Sequence, residues 1–166
     1  MKERKNKIPT VRKVFMVLAV VCMVCIFIFS MENADNSSRT SGNVIRFFAG
    51  HFYPNFNSLS AVKQREIISS FQFLARKLAH FSVYFLLGFL LSVGFGKRKL
   101  FTRTSLYVVI IGFCYAVSDE IHQIFVPGRS CQFRDMMIDT GGVCTGILFS
   151  MAVFAIHTLI FRKKNK

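Results

Sequence analysis

The chain has 166 residues, a formal net charge of +14, 20 phenylalanines and no tryptophan, with its charges crowded into short blocks between long apolar runs. That distribution is a membrane protein's, because a soluble domain spreads charge over a solvated surface. It also argues against nucleic acid as the partner: no basic stretch is interleaved with stacking aromatics or a groove-reading motif, and the positive charge follows loop position.

Residues 1–13 are basic and polar, and are expected to form a cytoplasmic N-terminus. Residues 14–31 are apolar and uncharged. They approach the roughly 20 residues of a spanning helix and lack a small-x-small cleavage site, so an uncleaved first span is expected. Glu32 to Gly42 is polar and Ser/Asn-rich and reads as a loop. Phe47, Phe48, Phe52, Tyr53 and Phe56 suit an element at the membrane interface. Ser60 is placed to cap a helix on which Ile67, Ile68, Phe71 and Leu74 recur at helical spacing, either a separate amphipathic helix or the wet start of the next span.

Three further spans are expected at about 78–95, 105–126 and 136–161. The basic turn Lys97-Arg98-Lys99 follows the first of them, and Pro127-Gly128 ends the second. Residues 14–161 then form one membrane domain, with 162–166 as a basic tail. Lysine and arginine crowd the N-terminus, the 97–103 turn and the C-terminus, which are short, so both termini are expected to be cytoplasmic. The fold class expected is an all-α integral membrane protein of four transmembrane helices, with an extracytoplasmic amphipathic or interfacial segment between spans 1 and 2.

Five cysteines form no framework. Cys22 and Cys25 lie inside an apolar run without a second pair, Cys114 and Cys144 are also in apolar segments, and Cys131 sits alone in a loop.

On helices turning about 100° per residue, Lys77, His80, Tyr84 and Gly88 share one face. Gly112, Tyr115, Asp119, His122 and Gln123 share another, with Glu120 to one side, and Asp135, Asp139, Gly142 and Gly146 share a third. Lipid exposure of three such stripes is costly, so they should face one another near the outer mouth of the bundle. Gly88, Gly112, Gly142 and Gly146 would allow close helix packing beneath them.

The pattern Lys77, His80, Tyr84, Gly88, then Asp119, Glu120, Gln123, Phe125, Pro127, Gly128, Arg129, then Asp135, Asp139, Gly142 resembles the VanZ-like family over about residues 14–155. These are small bacterial membrane proteins named for a member that confers low-level resistance to the glycopeptide teicoplanin. His122 falls outside the pattern, and the outer loop before Lys77 carries no matching motif. The resemblance implies a multi-pass protein of the bacterial plasma membrane with a cell-envelope role, and no settled reaction.

The residues leave several roles open. Asp119 and Glu120, with His80, are candidates for acid–base catalysis; alternatively the carboxylates pair with Lys77, Arg129 or Arg134 and fix helix packing. Lys77 and Arg129 suit an anionic headgroup, or snorkel to the outer lipid surface. Asp135 is placed to cap the fourth helix. Ligand-binding candidates are Lys77, His80, Tyr84, Asp119, Glu120, Gln123, Arg129, Asp135 and Asp139. No HExxH-like spacing accompanies His80 and His122, so neither a metal nor a cofactor is expected.

Three functional classes follow. The first is a module engaging a lipid-linked wall precursor or a lipophilic glycopeptide in the outer leaflet and contributing to teicoplanin resistance. The second is a membrane enzyme using Asp/Glu and His acid–base chemistry on a lipid-linked envelope substrate. The third is a small proton-linked transporter, disfavoured because the inner halves of the spans offer almost no polar residue to continue a relay.

Overall fold

The computed structural model describes residues 9–96 and 102–164, the side chains of 161–164 excepted. The basic turn Lys97-Arg98-Lys99, residues 1–8 and Asn165-Lys166 lie outside the described residues. The chain is all-α: α1 (Thr10–Ser30), α2 (Ala34–Phe52), a 3-10 turn (Phe56–Ser58), α3 (Ala61–Gly94), α4 (Arg103–Gln123) and α5 (Phe133–Lys164). Four of these, α1, α3, α4 and α5, are long and apolar enough to cross a membrane. Between the first two spans, α2 exposes Phe47, Phe48 and Phe52, which is the amphipathic character of an interfacial element.

Three boundaries differ from the sequence reading. Glu32 to Gly42 is not a loop, because α2 begins at Ala34. The Asn33 side chain accepts the Asn36 amide at 2.9 Å and Asp35 lies in the first turn, so the polar stretch supplies its own N-terminal cap. Tertiary packing also holds it, with Ile45, Phe56 and Ile68 forming a small core and the Gln72 amide donating to the Ser38 carbonyl at 2.6 Å.

Second, the span expected to start at about 78 belongs to a helix that starts at Ala61: of the two readings after Ser60, the wet start of the span holds, and α3 runs unbroken through 34 residues. Such a helix is about 51 Å long, against a hydrocarbon thickness of about 30 Å, so its N-terminal turns project beyond the apolar layer and pack on α2. Third, α4 stops at Gln123 rather than reaching Val126. Residues 124–126 continue as turns, with the Val126 amide bonded to the Gln123 carbonyl, and Gly128 follows at φ 75. That left-handed conformation suits glycine, and the adjoining Pro127 carbonyl accepts the Ala34 amide at 3.3 Å, tying the α4–α5 connection to the start of α2.

Helix α3 is the hub, in contact with α1, α2, α4 and α5, most extensively with α5. The core is built from Ala19, Cys22 and Ile26 of α1, Tyr84, Leu87, Leu90 and Leu91 of α3, Val108 and Ala116 of α4, and Val143 and Ile147 of α5. The outer faces keep Val17, Val20, Leu86, Ile110, Phe149 and Val153 exposed. Apolar exposure on that scale suits lipid as the surrounding solvent.

The α3–α5 contact is close because of its glycines. A methyl group on Gly88 would meet the backbone of Val143, one on Gly142 the Phe81 carbonyl, and one on Gly146 the backbone of Phe85 and Phe89. Gly112 of α4 faces the Val143 side chain. These contacts set the distance at which the polar side chains above them meet.

Candidate functional site

At one end of the bundle the C-terminal turns of α1 and α4, the first turns of α5 and the middle of α3 converge. They bring together Ser30, His80, Asp119 and Asp139. One ligating atom from each of His80, Asp119 and Asp139 lies within 4.8 Å of the other two. His80 Nδ1 is 3.9 Å from an oxygen of Asp139. Asp119 is 3% exposed and Asp139 0%. A carboxylate removed from water is costly unless hydrogen bonds or opposite charge replace its hydration, and the two aspartates differ sharply in this respect.

Asp119 Oδ2 accepts from the Ser30 hydroxyl at 2.9 Å and from the Gln123 amide at 3.3 Å. Its Oδ1 has no hydrogen-bond partner, and neither oxygen of Asp139 has one. The Tyr84 hydroxyl, one helical turn beyond His80, is also buried without a hydrogen bond. The centre therefore concentrates acceptor groups far in excess of its donors.

The other charged candidates surround this centre. Lys77 forms an ion pair with Asp135 in the first turn of α5, and its ammonium also lies 5.3 Å from the Phe73 ring centre. The Arg134 guanidinium lies over the same ring, 4.8 Å from its centre. Glu120 accepts the Gln132 amide at 2.8 Å, so its carboxylate secures the α4–α5 connection. Arg129 donates to the Glu32 carbonyl at 3.3 Å. His122 leaves the group altogether, its ring 4.5 Å from that of Phe27 on α1.

A cavity of about 330 Å³ opens beside the centre, and Ser30, Ser41, Arg76, His80 and Arg129 are among its walls. The ion pairs among the described residues are Lys77–Asp135 and His80–Asp139; neither Arg76 nor Arg129 is in one, although Glu32 also lines the cavity and, with Asp119 and Glu120, acts electrostatically on Arg129. Burial, with Arg76 nearby, pushes the Arg129 guanidinium below its ordinary range. Next to this cavity, and sharing Val44, Ala75 and Ala79 with it, an apolar groove of about 600 Å³ runs between α2 and α3, lined by Phe48, Phe52, Phe71, Leu74 and Leu78.

The family model described as VanZ/LLP1 matches residues 15–156. The chain belongs to the VanZ/LLP1 family. The match includes most of every span and every residue of the His-Asp centre. No similar curated protein and no similar solved structure was found.

Two residues of this VanZ/LLP1 site were not singled out by the sequence. Ser30 ends an apolar run and looks like its boundary; its role depends on α1 ending beside Asp119. Arg76 precedes Lys77 and looks like one more basic residue ahead of the second span. Its place in the cavity wall follows from α3 continuing through that position.

Proposed function

We propose that this VanZ/LLP1 protein is a membrane enzyme that uses His80, Asp119 and Asp139 for acid–base chemistry on a lipid-linked envelope substrate. The observation that carries the reading is the pair of buried carboxylates with unbonded oxygens beside a histidine, at the wall of a cavity. A packing cluster would satisfy its acceptors; groups held ready for a reacting molecule do not need to. Burial in a poorly solvated centre is also how enzymes bring carboxyl and imidazole groups to exchange a proton near neutral pH.

The surroundings favour a substrate with an anionic head and a long apolar tail. Arg76 and Arg129 line the cavity next to His80, and a guanidinium offers phosphate or carboxylate two parallel hydrogen bonds. The adjoining α2–α3 groove is lined by aromatic and aliphatic side chains, as an acyl or prenyl chain would require. Toward the other end of the spans, the buried polar groups among the described residues are Ser92 and Ser150, whose hydroxyls bond to each other at 2.6 Å. Neither titrates, which weighs against a proton-linked transporter.

The proposed orientation puts this mouth outside the cell and both termini inside. Cys131 is exposed beside α5, whereas Cys22 is buried and Cys25 and Cys144 lie within spans. On intact cells Cys131 should react with a membrane-impermeant maleimide, and Cys22, Cys25 and Cys144 should not. Labelling of Cys131 only from the cytoplasmic side would invert the topology.

The enzymatic reading is tested by placing the purified protein in vesicles doped with a lipid-linked wall precursor and following the lipid by mass spectrometry. The expected result is conversion by the wild type, reduced at least about 100-fold in His80→Gln. Tight binding by the wild type with no conversion would instead establish a binding module, the class to which glycopeptide protection belongs.

A further inference from the structure

The sequence offered no metal motif, because the three groups come from three helices. Their arrangement has the composition of a cation site. Among the described residues, His80 of α3, Asp119 of α4 and Asp139 of α5 each present a ligating atom within 4.8 Å of the others. Around an ion with bonds of about 2.1 Å, tetrahedral ligand atoms lie about 3.4 Å apart. The His80–Asp139 pair, at 3.9 Å, is about half an ångström wider than that. Closing the widest separation takes about 1.4 Å, within the reach of side-chain rotation.

The second observation concerns the oxygens. Both oxygens of Asp139 and Oδ1 of Asp119 are buried without a hydrogen bond, on residues 0% and 3% exposed. The remaining oxygen of Asp119 is held by Ser30 and Gln123, so the carboxylate is oriented by outer partners and keeps one oxygen for the centre. That division is the usual support for a metal-bound carboxylate. Two carboxyl groups and one imidazole share this buried centre, with no lysine or arginine among the described residues within ion-pair distance of either carboxyl.

We propose that His80, Asp119 and Asp139 bind one divalent transition-metal cation of the zinc or manganese class. One imidazole nitrogen with carboxylate oxygens suits those ions better than calcium, which takes oxygen ligands alone. Three protein ligands leave positions for water or a substrate oxygen, the arrangement of a catalytic rather than a structural site. Arg76 and Arg129 in the adjoining cavity wall then stand where an anionic head would be held beside the ion. The inference deepens the acid–base reading of this site and rests on it for the chemistry, since a bound cation polarises a water or a phosphate oxygen. The binding itself does not depend on that reading.

The experiment uses the full chain purified in detergent, stripped with a chelator and incubated with Zn2+ alone. The wild type should retain about one zinc per chain after desalting, measured by elemental analysis. Asp119→Asn and Asp139→Asn should each weaken binding at least about 100-fold, while Glu66→Gln, on the exposed surface of α3, should not. Because a variant can fail by misfolding, the wild type loaded with Mn2+ supplies an independent readout: its pulsed electron paramagnetic resonance spectrum should show nitrogen coupling from one imidazole.

No zinc on the wild type, undiminished binding by Asp139→Asn, or a manganese spectrum without nitrogen coupling would each overturn the site. Zinc bound in the expected way with no conversion of lipid would leave the site standing and remove the enzymatic reading. No zinc on the wild type together with conversion of lipid by the chelator-treated protein would remove the site and leave that reading intact.

Discussion

Gly88→Ala should destabilise the bundle by about 3 kcal/mol or more, although it adds a single methyl group. An ideal Cβ on Gly88 lies under 3.0 Å from the Val143 carbonyl oxygen, Cα and carbonyl carbon. Backbone cannot rotate away as a side chain can, so α3 and α5 must separate along their contact. Membrane helices gain little from excluding lipid from one another and rely on close packing, which makes such a separation expensive. Gly141→Ala is the control on the neighbouring helix. Its nearest neighbour would be the Phe81 ring edge at 3.9 Å, an ordinary contact. Alanine is the better helix former by about 1 kcal/mol, so Gly141→Ala should be neutral or slightly stabilising. Unfolding of detergent-solubilised protein measures both; equal midpoints for Gly88→Ala and wild type would contradict the packing account.

The consequence reaches the site. Gly142 follows Asp139 by less than one turn, and a Cβ there would approach the Phe81 carbonyl to 2.5 Å and Tyr84 Cβ to 3.1 Å. His80 and Tyr84 flank Phe81 on α3. Moving α5 outward at Gly142 therefore widens the gap between His80 and Asp139. Close helix approach and convergence of the polar groups are one property of this sequence, expressed at two heights in the bundle.

What could be read from the sequence follows from this geometry. Apolar runs identified four spans because a spanning helix needs length and lack of charge, both local properties. Helical phase placed Asp135, Asp139, Gly142 and Gly146 on one stripe, since every α-helix shares the same turn angle. Phase does not choose partners across helices. That Lys77 pairs with Asp135, and that Ser30 reaches Asp119 from a helix ending 89 positions earlier, depend on helix lengths and crossing depths. The aromatic second half of α2 was legible as an interfacial element, but its first half was not, because it is Ser/Asn-rich and such residues compete with the backbone for hydrogen bonds. Its stability comes from the Asn33 cap and from Ile45 packing on Ile68. The cluster of His80, Asp119 and Asp139 was illegible for a related reason: familiar ligand spacings describe two ligands on one helix, and here each helix supplies one.

Asp139→Asn should raise stability in chelator-treated buffer by about 1–3 kcal/mol, while lowering conversion of the lipid substrate at least about 100-fold. The amide matches the carboxylate in shape and removes the charge. In the wild type, neither Asp139 oxygen has a hydrogen bond, the residue is fully buried and its ion-pair partner is His80 at 3.9 Å, so an ionised carboxylate there is poorly compensated. Asp119→Asn should behave differently. Its Oδ2 is already supported by Ser30 and Gln123, and an amide oxygen can accept both bonds, leaving stability nearly unchanged. The two substitutions thus separate a carboxylate held for reaction from one anchored in the fold, although both belong to the same centre. Thermal unfolding of the three proteins in one detergent decides it. A midpoint for Asp139→Asn below that of the wild type would mean that the Asp139 charge supports the bundle, and its isolation from donors would then need another explanation than function. A higher midpoint with lost conversion is the signature of a group kept at a cost to stability because the chemistry requires it.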